Sequence, residues 1–153
     1  MVWRFISRAA MFGTLLVMGN ISITVNAAEV TVGELKERLS HVAITDQPGI
    51  GIEIAHLQLN AAAKLYTGNE PENAAAALSE VAQYCELAGT ASINSRSHEK
   101  QTEISVRKMI RRLVDMKHAA VQEDQGAIQS AIDRLDRVRD ALLKSMFPAH
   151  PHK

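Results

Sequence analysis

The chain has 153 residues with 17 basic and 17 acidic side chains, and aromatic residues make up only 4% of it. A composition poor in aromatic residues and rich in Ala, Leu, Gln, Glu and Arg favours helices over sheets, and the length suits one domain with a modest core. The balanced charge gives no general electrostatic basis for binding nucleic acid.

The first 27 residues have the pattern of a secretory signal peptide. Arg4 and Arg8 make a basic start, residues 9–18 are apolar, and residues 25–27 read Val-Asn-Ala before the expected cut. We predict cleavage after Ala27 and a periplasmic or secreted mature chain; the alternative is an uncleaved N-terminal anchor. Cleavage leaves 15 basic and 17 acidic residues, a net charge of −2.

Two helices are predicted to follow the leader. Thr31 and Glu34 have capping-box spacing and open a short helix that ends by Thr45, before the turn cluster at residues 46–49. The second helix is predicted from about Ile50 to Thr67, with Gly68 as its C′ residue. The apolar stripes of the two helices are Val32, Leu35, Leu39 and Val42, and then Ile52, Ala55, Leu59, Ala62 and Tyr66.

Three longer helices are predicted in the rest of the chain. The third begins near Pro71 and ends at Gly89, and the small and polar residues from Gly89 to Ser97 are predicted to form a loop. The fourth and fifth cover about residues 97–120 and 126–147. Their stripes are Ala74, Leu78, Val81, Cys85 and Ala88; Val106, Met109, Leu113, Met116 and Ala120; and Ile128, Ile132, Leu135, Val138 and Leu142.

These helices predict an all-α domain at residues 28–147, followed by a disordered tail at residues 148–153. Short turns favour an antiparallel bundle of four main helices, formed by two αα-hairpins, with the short leading helix packed beside it. Residues 29–90 carry a net charge of −6 and residues 91–153 a net charge of +4. We therefore expect the acidic hairpin to pack beside the basic one, either within one chain or between subunits.

Residues 64–82 read Lys-Leu-Tyr-Thr-Gly-Asn-Glu-Pro-Glu-Asn-Ala-Ala-Ala-Ala-Leu-Ser-Glu-Val-Ala. This stretch resembles the helical hairpin of tetratricopeptide repeats, although it has one extra residue after Gly68 and no full 34-residue repeat follows. It also resembles the hairpin of YfdX-type periplasmic proteins, which are linked with bacterial stress responses. The second resemblance implies a non-enzymatic periplasmic protein, and no functional residue is carried over from either family.

Two pairs of side chains have metal-ligand spacing. Glu53 and His56, like Asp115 and His118, place a carboxylate and an imidazole at i,i+3 on a helix, as in ferritin-like bundles, and Glu80 could add a carboxylate. However, His56 lies near the start of its helix and His118 near the end of a parallel one. We therefore expect two exposed local pairs and no cofactor. The alternative is a metal- or haem-binding bundle, in which a dimer would bring the distant pairs together.

A basic cluster marks one side of the fourth helix. Arg107, Lys108, Arg111 and Arg112 form what we call the basic flank, which suits an acidic protein partner or anionic lipid headgroups. The alternative is pairing with acids of the same fold, such as Glu80 and Glu86.

No catalytic motif is apparent in the sequence. It contains neither a glycine-rich phosphate loop nor a nucleophile elbow, and Cys85, the single cysteine, lies on an apolar stripe that predicts a buried structural thiol. We therefore predict a non-enzymatic protein that acts through contacts with a protein partner or with itself, in envelope stress or assembly.

Overall fold

The computed structural model describes residues 31–148, and these residues form five helices and no strands. The helices are α1 (Val32–His41), α2 (Gln47–Thr67), α3 (Pro71–Ser95), α4 (Glu99–Ala119) and α5 (Gln125–Met146). The predicted all-helical class is therefore confirmed for this part of the chain. The predicted signal peptide, and all of the predicted tail except Pro148, lie outside the described residues.

The capping box predicted at the start of α1 is present. The backbone N–H of Thr31 donates to Glu34 Oε2 at 2.8 Å, and the N–H of Glu34 donates to Thr31 Oγ1 at 3.3 Å. These bonds satisfy two backbone donors that the first turn of a helix leaves without partners. The helix ends at His41, and its buried Leu35 and Leu39 face the body of the protein.

α2 begins at Gln47, three residues before the predicted start. The difference arises because Pro48 lies within the first turn, where its missing N–H leaves no hydrogen bond unmade.

Gly51 lies where α2 packs closely against α3. A Cβ atom added there would lie 3.2 Å from the carbonyl oxygen of Tyr84 and 3.3 Å from Ala88 Cβ.

The connection between α2 and α3 uses asparagine rather than glycine in the left-handed region. Gly68 is the C-cap residue with φ −81°, and Asn69 follows with φ 61°, so the prediction of Gly68 at C′ was wrong by one position. The N–H of Glu70 donates to the carbonyl of Leu65 at 2.9 Å and that of Asn69 to Tyr66 at 3.2 Å. These are the two bonds of a Schellman motif, in which asparagine tolerates the left-handed conformation.

α3 continues through Gly89 to Ser95, so the loop predicted at residues 89–97 was wrong. The actual connection is residues 96–98, and both Arg96 (φ 55°) and His98 (φ 61°) adopt left-handed conformations. Gly89 is needed for packing, since a Cβ atom there would lie 2.7 Å from Val138 Cγ1 on α5. Gly89, which allows α3 and α5 to pack closely, was therefore misinterpreted from the sequence as the end of α3.

The predicted apolar stripes form the core. All five predicted stripe residues of α3 and of α5 are buried, as are three of the five on α2 and on α4. A smaller second cluster joins α1 to α2 and α3. It consists of Leu35, Leu39, Ile50 and Ile54, with Val32, Val42, Leu57, Tyr84 and Leu87 packed at its edge.

Polar contacts between helices fix their relative positions. Lys117 Nζ on α4 donates to Gln129 Oε1 on α5 at 2.7 Å, close to the connection between these helices. At the far ends of the same two helices, Ser145 Oγ donates to Glu99 Oε1 at 3.2 Å. These two contacts keep α4 and α5 in register along their length. Inside the fold, a hydrogen bond of 2.9 Å joins the hydroxyls of Ser92 on α3 and Thr102 on α4.

Candidate functional site

The basic flank is an exposed face of α4. Arg107, Lys108, Arg111 and Arg112 are all exposed, while Val106, Met109 and Leu113 of the same helix are buried. The helical period causes this separation, because residues three and four positions apart share a face. The four positive charges therefore lie together at the surface over two turns of α4.

Few partners on the protein itself neutralise this surface. Arg107 Nε lies 3.4 Å from Glu103 Oε1, and Arg112 donates a hydrogen bond to Asn60 on α2, which carries no charge. Within residues 31–148, Lys108 and Arg111 form no ion pair. Among the described residues, one of the four cations thus forms an ion pair.

Glu80, one acid considered as a partner for the basic flank, is engaged elsewhere. Its two carboxylate oxygens each accept from Lys36 Nζ at 2.9 Å, and Gln58 also donates to it. The hydrogen bond from Lys36 to Glu80 raises the pKa of Lys36, which stays charged and links α1 to α3. Lys36 Nζ also lies 5.5 Å from the centre of the Tyr84 ring, within the range of a cation–π contact.

Glu86, the other acid considered, pairs with α5. Arg134 Nε donates to Glu86 Oε1 at 2.8 Å and Arg134 Nη2 to Glu86 Oε2 at 2.7 Å, the two parallel bonds that arginine forms best. These hydrogen bonds lower the pKa of the Glu86 carboxyl. The acidic and basic hairpins thus do meet within one chain, but this ion pair does not involve the basic flank.

His56 lies on α2 beside the basic flank. Its side chain is half-buried, and burial, followed by the charges of Arg112 and Lys108, lowers its pKa. The imidazole is therefore neutral at neutral pH and adds no charge to the surface. The two neighbouring cations also oppose a metal ion at this histidine, because like charges repel.

The remaining candidate metal ligands are all at the surface. Glu53, Asp115 and His118 are exposed, and Glu80 is held by Lys36 and Gln58. In the stretch from 31 to 148, no group of three or more His, Cys, Asp or Glu side chains comes together in a way that suits a metal ion. The metal-binding hypothesis stays a prediction, for which metal analysis of the untagged protein is the direct measurement.

Cys85 is fully buried, and its Sγ lies 4.0 Å from Met109 Sδ on α4. Burial raises the pKa of the thiol to about 12, so the thiolate needed for nucleophilic chemistry is not formed near neutral pH. This environment agrees with the predicted structural role of Cys85.

The sequence-based interpretation missed two neighbours of the basic flank. His56 and Asn60 on α2 border it, and Asn60 accepts the hydrogen bond from Arg112. Their i,i+4 spacing outside the apolar stripe of α2 was visible, but nothing in the sequence aligns them with α4. The candidate surface therefore spans parts of two helices.

Among the residues that the structure describes, no helix combines the length and the apolar character needed to cross a membrane. Comparisons of the chain with models of protein families, with curated proteins and with solved structures found no match. The residues and their geometry are therefore the basis on which a function can be proposed.

Proposed function

We propose that this protein is an exported, non-enzymatic helical protein that binds an acidic protein partner through the basic flank of α4. The observation that carries the proposal is the exposure of four clustered cations, of which one forms an ion pair within residues 31–148, while Glu80 and Glu86 are bound to Lys36 and Arg134. Charged groups that remain accessible steer a complementary partner and select against wrong ones. By the resemblance to YfdX-type proteins, we assign the partner to envelope stress or assembly.

The proposal includes an antiparallel bundle of α2 to α5. Connections of three residues (68–70), three residues (96–98) and five residues (120–124) support this arrangement, because helices joined by short turns pack as antiparallel neighbours. α2 and α4 would then run in the same direction, which aligns Asn60 and Arg112 and forms the continuous surface that a partner would contact.

The same arrangement makes the metal-binding alternative less favourable. His56 precedes Asn60 by four residues, and His118 follows Arg112 by six. At 1.5 Å per residue, the two histidines would be separated by about 15 Å along the bundle axis. In that arrangement, one ion within one chain would not reach both histidines.

Site-specific crosslinking tests where the partner binds. A photoreactive residue in place of Arg111 is expected to capture a defined neighbour in the native envelope, whereas the same residue in place of Lys144, which is exposed on α5, is not. Equal capture from both positions, or none from position 111, contradicts the proposal.

Charge reversal tests the chemistry once the neighbour is purified. Lys108→Glu with Arg111→Glu is expected to weaken binding about tenfold or more and to reduce its dependence on salt. Arg38→Glu with Lys144→Glu makes the same two kinds of replacement at exposed positions of α1 and α5, with the same change of net charge, and is the matched control. A similar loss in both double variants would mean that net charge, and not the basic flank, determines binding.

Two further measurements separate the other parts of the proposal. Mass spectrometry of protein recovered from the cell envelope is expected to give a chain that begins at Ala28, whereas a chain that begins at Met1 contradicts cleavage.

Sedimentation at low and high salt distinguishes an external partner from self-association. A dimer that is weakened by salt, and that is lost in the double variant Lys108→Glu with Arg111→Glu, would identify a second copy of the chain as the partner.

A further inference from the structure

A cavity of about 350 Å³ lies where the end of α2 meets the α4–α5 connection. This volume is within the range of pockets that bind small molecules. The apolar part of its walls comes from the ends of two helices and from one connection, and consists of Ala63, Tyr66, Met116, Ala119, Ala120 and Val121. The residues of the basic flank do not contribute to these walls, so the cavity is a separate site.

Part of the apolar wall is open to water. Val121 is 61% exposed although it is a large aliphatic residue, and Ala119, at the end of α4, is exposed as well. An occupant with an apolar body would remove this surface from water, which is favourable roughly in proportion to the apolar area covered. The walls therefore favour a ligand whose body is apolar.

One acidic side chain contributes to the walls and, among the residues that the structure describes, no basic one does. The acid is Asp124, which is half-buried and directly precedes α5. Within residues 31–148 it forms no ion pair, and its side chain makes no capping hydrogen bond to α5. Burial, followed by the charge of Asp124, raises the pKa of Tyr66, so the field of the carboxylate reaches a second residue of the wall. An unpaired carboxylate beside apolar walls stabilises a positive charge more than it would in bulk water.

The two connections at this end of the fold are acidic as well. Residues 68–73 contain Glu70 and Glu72, residues 120–125 contain Glu123 and Asp124, and neither stretch contains a basic residue. Both connections reach the cavity, because Asn69 contributes to its walls together with residues 120, 121 and 124. Charges of one sign around a concave site raise the local concentration of ligands of the opposite sign. The surroundings of the cavity therefore favour a cation.

We propose that this cavity binds a small organic cation with an apolar body, of the arylammonium or alkylammonium class. The positive group pairs with Asp124, and the apolar body covers Val121 and the alanines beside it. This inference goes beyond the proposed partner binding and does not depend on it, since the two surfaces share no residue.

Three naphthalene derivatives test the proposal by calorimetry on the full chain. 2-Naphthylmethylammonium, 2-naphthylmethanol and 2-naphthoate share the aromatic rings and carry a positive, a neutral and a negative group at neutral pH. We expect the ammonium ion to bind about tenfold more tightly than the alcohol, and the carboxylate to bind most weakly, because Asp124 attracts the first and repels the last. Equal affinity of the ammonium ion and the alcohol, tightest binding of the carboxylate, or no binding of the ammonium ion overturns the proposal.

Two variants assign the preference for the cation to Asp124. Asp124→Asn removes the charge and keeps a residue that suits the start of a helix, so we expect the affinity for the ammonium ion to fall about tenfold, to that of the alcohol. Glu123→Gln removes the same charge from an exposed neighbour outside the cavity wall and is the matched control, with an expected change of no more than about twofold because water and salt screen this position.

The comparison of these two variants has two outcomes that contradict the proposal. A preference for the ammonium ion that persists in Asp124→Asn would show that Asp124 is not its partner. Equal losses in Asp124→Asn and Glu123→Gln would mean that net charge, and not a site in the cavity, attracts the cation.

A third variant tests the location without altering any charge. Ala119 is exposed and forms part of the cavity wall, so Ala119→Phe can fill the cavity from the solvent side without disturbing the core. It is expected to abolish binding of the ammonium ion and of the alcohol with an unchanged helical circular dichroism spectrum. Ala141→Phe makes the same replacement at an exposed alanine in the wall of a different cavity and should change neither affinity. Undiminished binding in folded Ala119→Phe, or an equal loss in folded Ala141→Phe, overturns the proposal.

Discussion

The two helical hairpins reach a buried interface by different means. α2 and α3 bury mainly small residues: Gly51, Ala55, Ala62, Ala74, Ala77, Ala82, Ala88, Gly89 and Ala91. α4 and α5 bury mainly large aliphatic ones: Val106, Met109, Ile110, Leu113, Ile128, Ile132, Leu135, Val138 and Leu142. The first hairpin relies on close approach of its backbones and the second on the volume of its side chains.

This difference predicts opposite sensitivities. Removing atoms from a well-packed core leaves a cavity, whereas adding them where backbones approach closely forces helices apart. We expect the large residues of α4 and α5 to be sensitive to truncation and the glycines facing neighbouring helices to be sensitive to enlargement.

Truncation of Leu135 should have the largest effect. This α5 residue is fully buried, so Leu135→Ala is expected to lower the free energy of unfolding by about 2–5 kcal/mol through lost apolar burial and a residual cavity. Urea denaturation followed by circular dichroism measures it. Val121→Ala, at an exposed position, is the control and should change stability by no more than about 0.5 kcal/mol.

Enlargement of Gly89 should come next. Gly89→Ala is expected to cost a net of about 1–2 kcal/mol, because a Cβ atom 2.7 Å from Val138 Cγ1 outweighs the gain of about 1 kcal/mol in helix propensity. Gly126→Ala is the matched control: no atom lies within 4 Å of its added Cβ, so it should stabilise.

A double-mutant cycle tests the assigned cause of the Gly89 effect. Val138→Ala removes the clashing methyl, so in that background Gly89→Ala should become neutral or stabilising. An undiminished cost in the Val138→Ala background would place the strain elsewhere.

The connection between α3 and α4 should accept glycine with a gain. Arg96 has φ 55°, a conformation that costs a residue with a Cβ atom about 1–2 kcal/mol, so Arg96→Gly is expected to raise the free energy of unfolding by about 1 kcal/mol. Asn69→Gly, at the corresponding position between α2 and α3, should gain less because asparagine tolerates this conformation. Thermal melting of the two variants compares the connections; a larger gain at Asn69 would contradict this explanation.

The ion pair that joins the two hairpins should have the smallest effect and should depend on pH. Arg134 holds the folded-state pKa of Glu86 below its unfolded value of 4.5, so its contribution is present above about pH 4.5 and is lost as pH falls through the folded value. Since the pair is partly exposed, Arg134→Gln is expected to cost no more than about 1 kcal/mol at pH 7.

Comparison of two pH values isolates this contribution. Urea denaturation of the chain and of Arg134→Gln at pH 7 and at pH 3 should show a smaller difference in the free energy of unfolding between the two proteins at pH 3 than at pH 7. A difference that grows at pH 3 would mean that Arg134 stabilises the fold through some contact other than Glu86.

Periodicity predicted the helices well and predicted their ends less well. The stripe of α5 from Ile128 to Leu142 is buried throughout, because a 3.6-residue repeat forces one face towards the rest of the fold. The end of α3 was missed because the sequence does not show whether Gly89 ends a helix or allows α5 to pack closely against α3. Only the presence of Val138 across the interface separates these two roles.

For the candidate site, the sequence predicted the cations of the basic flank but not the positions of the acids. It predicted the cluster of cations on one side of α4, since their spacing is local. It did not predict that Glu80 binds Lys36 or that Glu86 binds Arg134, since each contact depends on residues distant in the chain.

The sequence alone therefore determined the helical class, the buried faces and the position of the basic flank, because these follow from repeats within a few turns of one helix. The tertiary structure decided which acids are bound elsewhere and where a glycine serves packing. These outcomes depend on the register between helices, which short-range patterns do not encode.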